Sequence, residues 1–327
     1  MAAFWVPAVP AAAMIPGAAS AARPYLALDQ DFPDPAVLHY HGKYYAYSTN
    51  SNGHEVPVAT ATDLYGHWTA QSQDALPQLG AWAADGFTWA PDVSRLIDGR
   101  FLLYYTARDS ASGRQCIGAA TAANPAGPFV PVGSTSLVCP AADGGAIDPA
   151  AFVDTHGRRY LVYKNDGNAI GLPTYLYVQR VAADGVTLLG RPIATIRNGT
   201  AEGNLIEAPF LVQHGRQYVM FYSYGAWYDA SYTEGYATAP SLAGPWKKSD
   251  RALLSTTAFG GAVTGPGGMS VLRGTGGRAE QRRPGGATGD SEIVFHGVRS
   301  DPGFHRALYV DHLSWSGGTP VAAGTTG

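Results

Sequence analysis

Charge is scarce in this chain: of 327 residues only 14% are Asp, Glu, Lys or Arg, and the formal net charge is -3. That leaves no basic footprint for nucleic acid or an anionic membrane surface. Cysteine is scarcer still, with Cys116 and Cys139 the only two. Such a pair is one disulfide or two buried thiols, and its position on either side of an expected hairpin favours the disulfide. Long hydrophobic runs are missing too. The N-terminal apolar stretch is interrupted by Pro7, Pro10 and Pro16, so it does not read as a membrane span. Residues 1–25 read instead as a secretory leader, with small residues at 17–22, or as a disordered tail. No helical period runs far, which removes the helices that a TIM barrel needs between its strands.

Glycine and aromatics are plentiful, with 41 Gly, 19 Tyr and 7 Trp, and 46% of the chain is apolar. The mixture suits short strands, tight turns and a surface that meets carbohydrate. The strongest signal is a repeat. Prolines at 35, 91, 149, 209 and 266 lie 56, 58, 60 and 57 residues apart. Their lead-ins are Asp34-Pro35, Ala90-Pro91-Asp92, Asp148-Pro149, Glu207-Ala208-Pro209 and Gly265-Pro266. After the first four comes a turn glycine (Gly42, Gly99, Gly157, Gly215) and then an aromatic run such as Tyr44–Tyr47 or Phe101–Tyr105. A second mark keeps the same spacing. Ala59-Thr60-Ala61, Ala120-Thr121-Ala122 and Ala237-Thr238-Ala239 each precede a glycine and an aromatic: Trp68, Phe129 and Trp246.

One unit therefore reads as four strands, and five units fill residues 26–320. Four-stranded units repeated radially are propeller blades. The expected fold is an all-β, five-bladed β-propeller in one domain; a β-sandwich would not need so long a period. Residues 273–290, rich in Gly and Arg, read as a loop interrupting the fifth unit.

The inner strands of a propeller converge on a central funnel, so residues at matching places in successive blades meet there. Asp34, Asp148 and Glu207 are read as occupying matching places in units one, three and four. Singly, each is a turn or strand-start residue. Together in a funnel they cannot all keep ordinary pKa values. One protonated and one ionised carboxyl are what glycoside hydrolysis requires. The chain neighbours of Glu207, namely Ile206, Ala208 and Pro209, offer it no charge partner.

The motifs Pro33-Asp34-Pro35-Ala36-Val37, Trp89-Ala90-Pro91-Asp92-Val93, Ile147-Asp148-Pro149 and Ile206-Glu207-Ala208-Pro209 resemble those of glycoside hydrolase family 43, over about Asp31 to Trp315. The resemblance implies an inverting hydrolase of arabinose- or xylose-containing plant polysaccharide. It implies Asp34 as general base, Glu207 as general acid, and Asp148 as the group that sets that acid's pKa and orientation. Trp89 would lie near the sugar subsite, or in the core, and Arg306 resembles a late arginine that reaches a substrate hydroxyl. Many relatives carry a His in the fifth lead-in that helps hold an axial metal ion. Here that segment reads Gly265-Pro266-Gly267-Gly268-Met269-Ser270, so no metal or other cofactor is expected. His41, His156 and His214 read as turn residues. His296 follows a late apolar run and either approaches the axis or is structural.

The resulting expectation is a secreted, monomeric enzyme that releases α-L-arabinofuranosyl residues from cell-wall polysaccharide, with no nucleic-acid or membrane partner. The rivals are a β-xylosidase, an endo-α-1,5-L-arabinanase, and, outside catalysis, a sugar-binding or scaffolding propeller.

Overall fold

The computed structural model describes residues 24–272 and 290–325. The first strand, β1 (Tyr25–Leu28), is followed by blade one: β2 (Ala36–Tyr40), β3 (Lys43–Tyr47), β4 (Val58–Ala61) and β5 (Thr69–Ala70). Blade two holds β6 (Ala83–Arg95), β7 (Phe101–Asp109), β8 (Gln115–Ala122) and β9 (Val130–Pro131). Blade three holds β10 (Ala146–Val153), β11 (Arg159–Asn165), β12 (Tyr175–Val181) and β13 (Ile193–Arg197). Blade four holds β14 (Glu207–His214), β15 (Gln217–Tyr224), β16 (Thr233–Ala239) and β17 (Lys247–Lys248). Blade five is built from β18 (Thr264–Leu272), β19 (Ser291–Arg299), β20 (His305–Ser316) and β21 (Thr319–Ala322). The first strands of the blades, β2, β6, β10, β14 and β18, each touch the next, and β18 touches β2, so the ring is closed. The five-bladed propeller expected from the repeat is the fold observed.

The ring is sealed by a strand that the repeat does not reveal. β1 leaves the N-terminal side of blade one and pairs antiparallel with β20, Tyr25 opposite Val310. Blade five therefore joins both ends of the described chain, and a cluster with Val294, Leu308 and Val310 on one side and Ala46, Ala59 and Trp68 on the other packs blade five against blade one. Four further clusters fill the other blade interfaces. The core is thus distributed as wedges between blades, and most strands are covered on both faces. That explains why Phe101-Leu102-Leu103-Tyr104-Tyr105 is a continuous apolar run, buried throughout, and not an alternating one.

The local signals match the elements. The Ala-Thr-Ala marks lie on β4, β8 and β16, the third strands of blades one, two and four. Trp68, Phe129 and Trp246 immediately precede the two-residue outer strands. The indole N–H groups of Trp68 and Trp246 each donate to a carbonyl four residues back, Leu64 and Leu242, at 3.1 Å. His41 and Gly42 form the two-residue turn between β2 and β3 with φ of 50° and 74°, as a type I′ hairpin demands. Cys116 and Cys139 are joined in a disulfide. Cys139 lies beyond β9, so the bond ties the connection between blades two and three to β8; it does not close the outer hairpin itself.

The stretch read as a leader falls, up to residue 23, outside the described residues, as does 273–289 of the expected loop. The strands flanking that loop, β18 and β19, pair with each other. Among the described residues no helix is long and apolar enough to cross a membrane.

Candidate active site

The five lead-ins share a backbone feature. The residue before each proline has a left-handed φ: Asp34 51°, Ala90 41°, Asp148 54°, Ala208 48° and Gly265 55°. Steric clash normally drives a residue before proline into the extended region, and positive φ in a non-glycine residue costs of order 1–3 kcal/mol. In blades two to five the strand register shifts across this point, between Trp89 and Asp92, Ile147 and Ala150, Glu207 and Phe210, and Thr264 and Gly267. Bulges of this kind re-aim side chains beside active sites. Asp34 and Asp148 occupy the left-handed position itself, and Asp34 stands just ahead of β2. Glu207 stands one residue earlier, level with Trp89, so the three acids do not share one repeat position as expected.

Asp34 and Asp148 line one narrow cavity on the propeller axis with Ala208 and Gly268. Glu207 joins them through its neighbour, because the Ala208 N–H donates to Asp148 Oδ2 at 2.8 Å. The backbone N–H of Asp148 is itself satisfied by Thr106 Oγ1 at 3.2 Å. All three sequence-assigned acids are therefore brought together.

Asp34 is held as a carboxylate. Its Oδ2 accepts from the Thr49 hydroxyl at 2.6 Å, and Thr49 Oγ1 in turn accepts from the Ala90 N–H at 2.9 Å. Arg306 Nη1 lies 3.3 Å from Oδ1 and 3.4 Å from Oδ2. Burial pushes the Asp34 carboxyl up, but the Arg306 guanidinium and the Thr49 hydroxyl pull it down, and the group ends below its ordinary value. Burial drives His296 down to about 3, so its ring is neutral, and its Nδ1 accepts from the Asp34 N–H at 3.1 Å. Arg306 is then the cation that matters. The substrate-binding arginine of the sequence reading thus stands on Asp34.

His296 reaches this place because the fifth lead-in carries a glycine. A Cβ on Gly268 would lie 2.8 Å from His296 Nδ1 and 3.0 Å from Asp34 Oδ1. The ring stacks on Tyr232, centroids 5.4 Å apart at 10°, and its Nε2 is buried without a hydrogen-bond partner. One imidazole nitrogen is not a metal site, and among the described residues no group of three or more His, Cys, Asp or Glu side chains gathers to hold an ion.

Glu207 is held by residues that sequence reasoning missed. Tyr232, wholly buried before β16, donates its hydroxyl to Oε1 at 2.8 Å. Lys164, wholly buried on β11, places Nζ 3.6 Å from Oε2 and 3.8 Å from Asp166, and donates to Asn168 Oδ1 at 2.8 Å. The charge partner absent from the neighbours of Glu207 therefore comes from the adjacent blade. Asp34 faces Arg306 and Glu207 faces Lys164. Asp148 is pushed up to about 7 by burial and then by the charge of Glu207, with Lys164 and the Ala208 N–H opposing. Asp148 therefore keeps its proton toward neutral pH. Behind Tyr232, the buried Glu234 carboxyl, pushed by burial to about 8, bonds the Ser223 hydroxyl at 2.6 Å. It stays neutral and needs no counter-charge.

Trp89 is half-buried on β6 opposite Thr106. The site thus sets an ionised Asp34 against Glu207 and a protonated Asp148, with the side chains of Asp34 19% and Glu207 14% exposed to solvent. The sequence profile of glycosyl hydrolases family 43 matches residues 27–320. This chain belongs to that family.

A probable arabinan endo-1,5-α-L-arabinosidase A of Aspergillus clavatus is 29% identical over 293 residues, 86% of this chain and 81% of that protein. A β-D-galactofuranosidase of Aspergillus niger is 26% identical, covering 72% of this chain and 68% of its own length. Among solved structures, a thermostable family-43 glycoside hydrolase superposes with a TM-score of 0.77 at 26% identity, covering 92% of this chain and 96% of that one. This family 43 chain is therefore a glycoside hydrolase on a five-bladed propeller.

Proposed function

We propose that this glycoside hydrolase cleaves α-L-arabinofuranosyl linkages of arabinan or arabinoxylan with inversion, releasing terminal residues. The observation that carries the reading is the division of charge. Asp34 is kept ionised by Arg306, while Asp148, which accepts from the Ala208 N–H beside Glu207, keeps a proton toward neutral pH. In the reaction, Asp34 takes a proton from water as the water oxygen attacks the anomeric carbon. Glu207 gives its proton to the glycosidic oxygen as that bond breaks. The Tyr232 hydroxyl and Lys164 ammonium then hold the carboxylate that Glu207 becomes. Solvent protons reset the pair.

The arabinose preference is supported by relatives such as the Aspergillus clavatus protein and an endo-α-(1→5)-L-arabinanase 2 of Bacillus subtilis, 28% identical over 155 residues and named extracellular. That second name also supports export of this chain. Because both relatives are named for internal cleavage, endo-arabinanase action is the second reading. A panel of aryl glycosides with arabinan and xylan, followed by product size over time, separates the two. Monomeric arabinose as the first product supports terminal release, and early oligomers support internal cleavage. Activity on β-xylosides alone would overturn the arabinose assignment.

A further inference from the structure

Three large rings stand in solvent: Trp227 is 43% exposed, and Tyr228 and Phe304 are each 57% exposed. They form one cluster. The Trp227 centroid is 5.3 Å from that of Tyr228 and 6.2 Å from that of Phe304. Trp227 and Tyr228 belong to residues 225–231, between β15 and β16, and Phe304 precedes β20, so the cluster joins blades four and five. Clustered exposed aromatics of this kind mark a binding surface more often than a packing accident.

The cluster is continuous with the acids. Arg306 Cζ lies 4.6 Å over the Trp227 ring, while the same guanidinium holds Asp34. The 225–231 segment ends on Tyr232, whose hydroxyl holds Glu207. It is also fixed in shape. The Asp229 carboxylate accepts from Ser231 N at 2.8 Å and Ser231 Oγ at 2.6 Å, and Ala230 O accepts from Thr256 Oγ1 at 2.9 Å. A rigid segment thus connects the acid, the base and an exposed indole.

We propose that Trp227 and Phe304 form a sugar-stacking subsite for a pentose ring of the polysaccharide chain, next to the ring at the scissile bond. The faces of furanose and pyranose rings present C–H groups, which pack on aromatic rings, while Arg306 supplies a donor at the edge for ring hydroxyls. The inference rests on the reading of Asp34 and Glu207 as the reacting pair, and extends it to a substrate longer than one sugar.

The test compares kcat/KM on linear arabino-oligosaccharides of three or more units with kcat/KM on 4-nitrophenyl α-L-arabinofuranoside, in Trp227→Ala, Phe304→Ala and Trp227→Phe. Both alanine variants should lose about tenfold more on the oligosaccharides than on the aryl glycoside, with Trp227→Phe recovering most of the difference. Phe304→Ala removes a ring without removing the Trp227–Arg306 stack, so it separates stacking from a disturbed base. A second arm does not depend on catalysis: electrophoresis through gels containing arabinan, arabinoxylan or xylan. The wild type should be retarded by at least one of them, and the double variant Trp227→Ala/Phe304→Ala less so. Retardation without arabinoside hydrolysis would keep the subsite and reject the activity. Equal losses on both substrates, or equal migration of wild type and double variant in every gel, would overturn the subsite.

Discussion

Glu207→Gln should nearly abolish arabinan cleavage, by about 10²–10⁴-fold in kcat, the range general acid catalysis supplies. On an aryl arabinoside with a good leaving group it should keep much of its activity, because that group departs without protonation. The glutamine variant is preferable to alanine for a reason visible in the structure. Lys164 is wholly buried within 3.6 Å of Glu207 Oε2, and the Tyr232 hydroxyl donates to Oε1. Glu207→Ala would take the acceptor of the Tyr232 hydroxyl and a carboxylate partner of the buried Lys164 ammonium, which would keep Asn168 and the more distant Asp166, at a cost of about 3–5 kcal/mol in stability. A glutamine side chain keeps one acceptor oxygen. Equal losses on arabinan and aryl arabinoside in a folded Glu207→Gln protein would contradict the acid role.

Asp34→Asn should behave differently, losing activity on both substrates by 10³-fold or more on the order of base removal. No leaving group substitutes for an activated water. Asparagine again fits the backbone: Asp34 has φ of 51°, a conformation that Asn adopts more readily than Ala. The variant still accepts from Thr49 and leaves Arg306 in place, so a loss shared by both substrates reads as chemistry and not as collapse. Retention of aryl arabinoside hydrolysis in Asp34→Asn would remove Asp34 from the base role.

What the sequence made legible was local. The proline period, the turn glycines and the Ala-Thr-Ala marks sit within single blades, and each maps to the expected strand. Asp34 and Asp148 were legible because they stand directly before a repeat proline. What escaped came from contacts made across the fold. β1 is four residues long, and its partner β20 begins at His305, so no local pattern links them. Lys164 follows the run Tyr160–Tyr163 on β11, and Tyr232 is one tyrosine among 19; neither carries a mark that points to Glu207. The one-residue offset of Glu207 was present in the spacing, since Ala208 separates it from Pro209. It gained meaning only with the left-handed backbone at Ala208, which turns the preceding residue toward the funnel. His296 illustrates the same limit. The fifth lead-in lacks a histidine, but Gly268 leaves the gap through which a histidine from the next strand reaches Asp34.

These features share one logic. Five left-handed lead-ins bring short segments from every blade to one axis, and on the proposed reading long-range cations then sort the carboxyl groups they face, Arg306 at Asp34 and Lys164 at Glu207. The most direct test of that sorting is the configuration of the sugar first released from an α-L-arabinofuranoside, followed by proton NMR before the anomers equilibrate. Inversion by Asp34 and Glu207 predicts that the β-anomer appears first and the α-anomer grows in later by mutarotation. An α-anomer formed first would mean net retention, a covalent intermediate, and roles for these carboxyl groups other than those assigned here.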